Sequence, residues 1–400
     1  MTKQGVAKLL RRGRAAGVAI ALVMLVVATA GPGMGHVAAS QWEPQPLAAP
    51  APPPVSAKAA FVYDATAGTP LLALNQDEPL QPASLTKIAT AMVVLEHGNL
   101  DDTVEIVPGD VVDESQSRVG LVAGDVLSVR DLLFGLMIPS GNDAALALAR
   151  HVGASLPGGA DGDPTAAFVA EMNRLAAERG AATANFVNPT GMFAEAQHIS
   201  ARDLALLAAT AMENPLFAEI VATPRLTLPS AVRPEGYEIF TTNDMLVDGT
   251  AIGVKTGSLP EAGGCLVVAT REGGNLVISV VLGSTLAYED GVPVSPARWA
   301  DVRGMLAAIE QEYVWIDPAA PGAVPGLPEE LAAWGATIAA GGSVPVPADR
   351  AGDVGYRLRL GPPADPGEEV GTVLLLVGSD LVAERPVMQA GFVAGEQPAA

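Results

Sequence analysis

Two β-rich runs constrain the fold of this chain most. Residues 264–270 and 276–282 are apolar and rich in valine, and Gly273-Gly274 lies between them. A glycine pair between two such runs predicts a hairpin, because glycine readily takes the positive φ angles of tight turns. A second strand pair is predicted at 59–64 and 70–75. Because the two pairs flank a long helix-rich stretch, we expect them to join in one sheet.

The stretch between the strand pairs carries several helix-start signals. Ser128 and Ser200 are each followed three positions later by aspartate, which is the pattern of a capping box. Asp163-Pro164 places a capping residue before a proline in the first turn, and an apolar run predicts another helix over Leu85–Leu95. The sequence therefore predicts an α+β domain, with a sheet and a helical subdomain, over residues 58–314.

The C-terminal part of the chain has a different composition. Prolines become frequent after residue 315, and three short apolar runs follow at 354–360, 370–377 and 381–387. Short runs separated by turn residues are typical of strands. We therefore expect a small all-β sandwich over residues 315–395, followed by a tail at 396–400.

Residues 1–39 predict a targeting segment. All five of their charges are basic and end at Arg14, and an uncharged apolar stretch then runs to Ala30. This order is typical of a secretory signal peptide, with cleavage after Ala30 or Ala39. A retained N-terminal anchor is the alternative, since no charge occurs between Arg14 and Glu43. In both cases the rest of the chain is expected outside the cytoplasmic membrane, secreted or anchored to its outer face.

Residues 40–57 contain six prolines and predict a linker. A polyproline conformation rises ~3.1 Å per residue, so this segment could span on the order of 50 Å. Such a spacer would hold a catalytic domain away from a membrane, although a disordered N-terminus of the mature chain fits the composition equally well.

Charge and cysteine content exclude several classes of function. The whole chain has a formal net charge of −21. Without the five basic residues of the N-terminal segment, the rest of the chain carries −26. So acidic a surface repels nucleic-acid phosphates, and no nucleic-acid partner is expected. The single cysteine, Cys265, forms no intramolecular disulfide and lies in an apolar run, where a small core residue is the favoured interpretation.

Two common hydrolase patterns are absent from the sequence. None of the four histidines lies in a His-Glu-x-x-His motif, and no Gly-x-Ser-x-Gly motif occurs. A zinc peptidase and an α/β-hydrolase therefore lose support. No metal or cofactor is expected.

Ser84-Leu85-Thr86-Lys87 lies at the start of the predicted helix. Residues three apart share one helix face, so the Ser84 hydroxyl and the Lys87 amine would converge. Burial lowers the pKa of a lysine toward neutrality, which lets it act as the base that a serine nucleophile requires. An ordinary capping serine followed by a surface lysine is the alternative for so short a pattern.

Two further motifs follow in order. Ser140-Gly141-Asn142 comes directly after Pro139, and Lys255-Thr256-Gly257 is expected to end a strand over Ala251–Val254. Ser-x-x-Lys, Ser-Asp-Asn and Lys-Thr-Gly together are the signature set of penicillin-binding proteins and class A β-lactamases. The order of the three motifs argues against chance.

With these motifs the chain resembles the low-molecular-mass penicillin-binding D-alanyl-D-alanine carboxypeptidases, a serine-type family. The resemblance covers residues 59 to about 312 and implies a penicillin-binding, β-lactamase-like transpeptidase fold. The β-rich tail is similar to the C-terminal sandwich of that family. Further segments that carry the resemblance are Pro82–Lys87, Leu95-Glu96, Ser140–Ala145, Phe186–Met192, His198–Asp203 and Thr242-Asn243.

The resemblance implies a role for each matched residue. Ser84 would attack the peptide bond between two D-alanines, with Lys87 as the general base. Ser140 and Asn142 would complete the proton network and hold the substrate amide. The backbone N–H groups of Ser84 and Ser258 would form the oxyanion hole. The implied substrate-binding residues are Lys255, Thr256, Gly257 and Ser258. The implied partners are the peptidoglycan stem peptide and β-lactam antibiotics.

The sequence departs from the family at two places. Leu259 stands where the family usually has threonine, and Pro260 follows it. Many relatives also end in an amphipathic membrane helix, whereas residues 390–400 show no such pattern. Any membrane tether is therefore expected at the N-terminal segment.

Three other functions stay open from the sequence alone. An endopeptidase that cuts peptide cross-links and a β-lactamase would use the same motifs. A cell-wall-binding protein with feeble catalysis is the alternative of another class, favoured only by Leu259. Glu171 is the tempting deacylation base for a β-lactamase, but its segment resembles a helix that has no such role in the carboxypeptidase family.

Overall fold

The computed structural model describes residues 44–289 and 292–390. The predicted targeting segment, residues 40–43 of the predicted linker and the tail at 396–400 lie outside these ranges. In chain order the strands are β1 (Gln45–Pro46), β2 (Ala59–Asp64), β3 (Thr69–Leu74), β4 (Thr103–Glu105), β5 (Val126–Ser128), β6 (Arg225–Leu228), β7 (Tyr237–Phe240), β8 (Gly253–Leu259), β9 (Gly263–Glu272), β10 (Asn275–Ser284), β11 (Ala287–Glu289), β12 (Val292–Val294), β13 (Tyr313–Ile316), β14 (Ala336–Ile338), β15 (Val344–Pro347), β16 (Val354–Leu360), β17 (Glu369–Val377) and β18 (Asp380–Gln389). The α-helices are α1 (Lys87–His97), α2 (Val129–Met137), α3 (Asn142–Gly153), α4 (Pro164–Glu178), α5 (Ala201–Met212), α6 (Pro215–Val221), α7 (Asp244–Val247), α8 (Pro296–Glu312) and α9 (Leu327–Ala333).

The main sheet is antiparallel, with strand order β3-β2-β10-β9-β8. Both hairpins expected from the sequence join in it, because β10 pairs with β9 on one side and with β2 on the other. β8 forms one edge of this sheet and pairs with β9 from Gly253 to Leu259. The sheet therefore has an open edge at the strand that carries the Lys-Thr-Gly motif.

Both faces of the main sheet are buried. Alternate residues of β9 point to opposite sides, so Val267 belongs to the core shared with helices α1 to α6, and Val268 to the core shared with α8. A strand that is covered on both faces reads as a continuous apolar run. Cys265 lies in the first of these cores, and burial raises the pKa of its thiol to about 11, which fits a core residue.

Three helix starts agree with their sequence signals. The Ser128 hydroxyl accepts a hydrogen bond from the backbone N–H of Asp131, and Ser200 accepts one from Asp203 in the same way. Asp163 caps α4 ahead of its proline. α1 begins at Lys87 rather than Leu85, because Ala83–Thr86 forms a 3-10 turn after Ala83, whose φ is +50°.

The C-terminal strands form a second sheet with order β1-β18-β17-β16, in which β14 also pairs with β18. The three runs predicted from the sequence correspond to β16, β17 and β18. Two features differ from expectation. α9 interrupts a region expected to be all β, because Pro328 and two glutamates in its first turn favour a helix start. The proposed domain boundary after residue 314 falls inside β13.

The predicted linker is partly structured. Gln45–Pro46 forms β1, which pairs in parallel with β18, and Ser56 donates its hydroxyl to Asp301 at 2.8 Å. A proline is tolerated in this strand because β1 lies at the edge of its sheet.

Within residues 44–289 and 292–390, no single helix has the length and apolarity of a membrane span. The helices α5 and α6 reach that length and apolarity only when they are taken together, across a bend of 110°.

Candidate active site

The first two sequence motifs meet at the N-terminal end of α1. The Lys87 amine lies 3.2 Å from the Ser84 hydroxyl and 2.7 Å from Asn142 Oδ1. Lys87 is fully buried, whereas Ser84 is half-buried and so can be reached from outside. The structure thus brings the predicted nucleophile, its predicted base and an amide of the second motif into one cluster.

A backbone carbonyl completes the surroundings of Lys87. The amine also lies 2.6 Å from the carbonyl oxygen of Thr190, so an ammonium group has an acceptor for each of its three protons. A neutral amine has two N–H groups and one lone pair. The two shortest contacts, to Asn142 and Thr190, would take the N–H groups, which directs the lone pair at Ser84.

Burial also lowers the pKa of Lys87 into the range that suits a general base. Removal from water disfavours the ammonium form and lowers its pKa to about 7, while the nearby Asp143 carboxylate raises it by a smaller amount. A general base is most effective when its pKa lies near the working pH. Lys87 is therefore suited to take the proton of Ser84 near neutrality.

The second motif is held in a tight turn before α3. Ser140 has a φ of +65°, a conformation that costs energy for a residue other than glycine. Its hydroxyl is buried and has no hydrogen-bond partner among the residues that the structure describes. The neighbouring Asn142 donates its amide to Gln116 at 2.8 Å. The Ser140 hydroxyl is thus left for a substrate or a water molecule.

The third motif lies within β8 rather than at its end, because the ladder with β9 continues to Leu259. Lys255 is buried, and burial lowers its pKa well below the ordinary value, with further lowering by the charges of Lys87 and Arg298. Its amine donates to the Thr256 carbonyl at 3.0 Å. Lys255 thus places a buried amine on the strand that packs against the nucleophile turn.

At Gly257 the edge strand passes close to the nucleophile turn. A Cβ atom added here would lie 3.0 Å from both Pro82 O and Ser84 N. Only glycine lets the two backbones approach so closely without displacement. The predicted oxyanion donors, the N–H groups of Ser84 and Ser258, lie on these two segments.

Sequence reasoning missed Arg298. This residue stands in the first turn of α8 and donates from Nη1 to Gly257 O at 3.0 Å and to Ser258 Oγ at 2.7 Å. Burial lowers the pKa of its guanidinium. One signal could have identified it. A cation in the first turn of a helix interacts unfavourably with the helix dipole, so an arginine at that position suggests a role other than stabilising the helix.

The carboxylate considered as a deacylation base lies elsewhere. Glu171 pairs with His97 and Arg174, at the far end of α1 from Lys87. An eleven-residue helix is ~16 Å long, which separates Glu171 from the nucleophile. Glu96, His97 and Glu171 come close enough to share a cation, but Arg174 contacts both glutamates and supplies the positive charge.

Comparisons with known proteins point in one direction. A family model described as D-alanyl-D-alanine carboxypeptidase matches residues 47–285. The D-alanyl-D-alanine carboxypeptidase of Streptomyces sp. strain K15 is 35% identical over 259 residues, which is 62% of this chain and 88% of that relative. The chain spans only 58–60% of the length of the next four curated relatives.

Solved structures agree with this match. The crystal structure of the Streptomyces K15 DD-transpeptidase is similar with a TM-score of 0.57 and 35% identity, over 64% of this chain and 97% of that one. The D-alanyl-D-alanine carboxypeptidase DacD from Francisella tularensis has a TM-score of 0.63 over 86% of this chain and 94% of its own. At 24% identity the second likeness concerns the fold alone. The α+β fold class predicted from the sequence is confirmed.

Proposed function

The chain belongs to the D-alanyl-D-alanine carboxypeptidase family, and from that premise we propose that it is a serine D-alanyl-D-alanine carboxypeptidase. It removes the terminal D-alanine from peptidoglycan stem peptides through an acyl-enzyme, and penicillin acylates the same serine. The observation that carries the proposal is the contact of the Lys87 amine with Ser84, in a site where Lys87 has a pKa of about 7.

The acylation step follows from the contacts of Lys87. The neutral amine takes the proton of Ser84, whose oxygen forms a bond to the carbonyl carbon of the penultimate D-alanine. The N–H groups of Ser84 and Ser258 stabilise the resulting oxyanion. The C–N bond then breaks, and the proton returns to the departing amine through Ser140, whose hydroxyl has no other partner among the described residues. Water later hydrolyses the ester on Ser84.

Recognition of the chain end explains why the enzyme acts as an exopeptidase. Lys255, Thr256 and Ser258 would bind the terminal carboxylate, a role supported by the Arg298 guanidinium, which donates to Ser258 Oγ at 2.7 Å. Charge-assisted hydrogen bonds to a carboxylate are about twice as strong as neutral ones. A peptide without a free carboxylate would forgo a charge-assisted hydrogen bond with Arg298, which disfavours its binding.

The location of the substrate implies where the enzyme works. Peptidoglycan is assembled outside the cytoplasmic membrane, so the chain acts there. Whether it is secreted or tethered through residues 1–39 forms part of the proposal, supported by the basic and apolar order of that segment.

The proposal is tested by product analysis on a pentapeptide that ends in D-alanyl-D-alanine. We expect release of one D-alanine and, with penicillin, a covalent adduct that peptide mapping places on Ser84. Ser84→Ala should abolish both, while Ser379→Ala, at an exposed turn serine, should change neither. Adduct formation that survives Ser84→Ala would overturn the assignment.

The same assay separates the alternatives that use this site. Cleavage of a cross-linked dimer in preference to the pentapeptide would identify an endopeptidase. Rapid and sustained hydrolysis of penicillin would identify a β-lactamase. A chain that binds peptidoglycan without forming an adduct would be a wall-binding protein.

A further inference from the structure

Gln197 is buried beside the active site and reaches two segments at once. Its side-chain oxygen accepts hydrogen bonds from the backbone N–H groups of Val187 and Asn188, both at 3.1 Å. Its side-chain nitrogen donates to Thr86 Oγ1 at 3.2 Å. The two backbone donors require the oxygen on their side, so the orientation of the amide is fixed by its partners.

On one side Gln197 is connected to the nucleophile turn. The Thr86 hydroxyl that accepts from Gln197 donates in turn to Ala83 O at 2.9 Å. Ala83 has a φ of +50° and directly precedes Ser84. Two hydrogen bonds therefore run from the Gln197 amide to a strained residue that sets the position of the nucleophile.

On the other side Gln197 holds the loop that contacts Lys87. Asn188, whose N–H group Gln197 binds, accepts hydrogen bonds with Oδ1 from Thr190 N at 3.2 Å and from Gly191 N at 2.8 Å. This turn presents the Thr190 carbonyl to Lys87. The loop also packs directly on the nucleophile turn, since a Cβ on Gly191 would lie 2.0 Å from Ala83 O.

We propose that Gln197 is a positioning residue for acyl transfer: its amide fastens the loop whose Thr190 carbonyl orients Lys87 to the turn that carries Ser84. Gln197 touches no reacting atom. It acts by keeping the lone pair of Lys87 aimed at the nucleophile. This role rests on the proposed function for its kinetic consequence, but its effect on Lys87 can be measured without any reaction.

The decisive variant is Gln197→Met, which keeps the length of the side chain and removes the amide. The Thr190 carbonyl loses its alignment, so the ammonium form of Lys87 loses an acceptor and the titration midpoint of Lys87 should fall by roughly one pH unit. NMR of the protein with ¹³C-labelled lysine measures that midpoint directly. The other titratable groups that interact with Lys87 among the described residues, Asp143 on α3 and Lys255 on β8, are the same in both proteins.

Kinetics supply the second readout. At about pH 9, where Lys87 is neutral in both proteins, Gln197→Met should slow acylation by a fluorescent penicillin about tenfold, because the base is less well aimed. Asn275→Met is the control, since Asn275 is a buried amide that bridges Asp64 and Ser343 away from the site. It should lower thermal stability while leaving the midpoint and the acylation rate of folded enzyme unchanged.

A midpoint and a rate that are unchanged in Gln197→Met would overturn the proposal and leave Gln197 a purely structural residue. If that variant does not fold, Thr86→Val tests the same connection from the nucleophile side, because it removes only the hydroxyl between Gln197 and Ala83. It should slow acylation several-fold, and a normal rate would equally overturn the proposal. A wild-type protein that forms no adduct would sink the proposed function, whereas the Lys87 midpoint would still report on Gln197.

Discussion

A Cβ atom on Gly257 would lie 3.0 Å from the backbone nitrogen of Ser84, so this glycine sets the distance between the edge strand and the nucleophile turn. Gly257→Ala should push the two apart, because the added Cβ would also lie 3.0 Å from Pro82 O and 3.1 Å from the Ala83 Cβ. We expect acylation to slow roughly 10–100-fold and the free energy of unfolding to fall by ~1–3 kcal/mol. Penicillin labelling rates and thermal melts measure both. Gly109→Ala, in open space, is the control.

Acylation should depend on pH through Lys87. Its pKa of about 7 means that the rate rises as the pH passes through that value and is lost below it, where the amine is protonated. A pH–rate profile of penicillin acylation checks this. An acid limb near the ordinary lysine pKa of ~10.4 would contradict the role of Lys87 as a base.

Lys87 should also lower the stability of the fold. The unfolded chain binds the lysine proton up to pH ~10.4, whereas the native state releases it above about 7. The destabilisation caused by Lys87 is therefore largest below pH 7, and it disappears as the pH rises toward the pKa of the lysine in the unfolded chain. Lys87→Met should therefore abolish acylation while raising the melting temperature, most strongly below pH 7. Calorimetry across this pH range tests the sign, which would be wrong if the gain grew with pH.

Arg298 should contribute to recognition of the terminal carboxylate. Loss of a charge-assisted hydrogen bond predicts a fall in kcat/KM of roughly 10–100-fold for Arg298→Leu, largely through KM. Arg303→Leu is the matched control, because Arg303 lies on the same helix and pairs with Asp248 at the surface. With a peptide amidated at its C-terminus, the difference between wild type and Arg298→Leu should nearly vanish.

Leu259 offers a test of the departure from the family pattern. It ends β8 opposite Gly263 and packs half-buried against the core. Leu259→Thr restores a hydroxyl, and one hydrogen bond of ~0.5–1.5 kcal/mol predicts a two- to tenfold rise in peptidase kcat/KM. Leu259→Val, which is branched like threonine but has no hydroxyl, should give no rise. An equal rise in both variants would assign the effect to side-chain shape.

Glu171 should have no part in the fate of bound penicillin. Its carboxylate is occupied by His97 and Arg174, about the length of α1 from the nucleophile. Glu171→Gln is therefore expected to change the hydrolysis of the penicilloyl-enzyme by less than about twofold, apart from a small loss of stability. Intact mass spectrometry over time follows the adduct. A marked slowing of its release would make Glu171 a deacylation base after all.

Local signals predicted much of this fold. Ser128, Ser200 and Asp163 marked helix starts correctly, because capping depends on residues within one turn. The glycine pair at 273–274 likewise marked the β9–β10 hairpin. The α9 helix was missed, although Pro328 gave a signal of the same kind.

The site was only partly predictable, for a related reason. Ser84 and Lys87 are three residues apart, so their meeting follows from helix geometry. The contacts of Arg298 with Ser258 and of Lys87 with the Thr190 carbonyl join residues far apart in sequence. Every residue has a backbone carbonyl, so residue type alone could not identify Thr190 as a partner of Lys87. Gln197 was not among the residues singled out from the sequence either.

The pairing of β1 with β18 has a consequence for the order in which this protein can be built. Gln45 lies opposite Asp380, so the second sheet needs strands from both ends of the described chain. A chain is synthesised from its N-terminus, and contacts between distant residues are slow to form. The strands of the main sheet lie between these ends in the sequence and can pair earlier, whereas β1 cannot pair before β18 has been synthesised. The second sheet is therefore completed only when β18, near the far end of the described chain, has been made and can pair with β1.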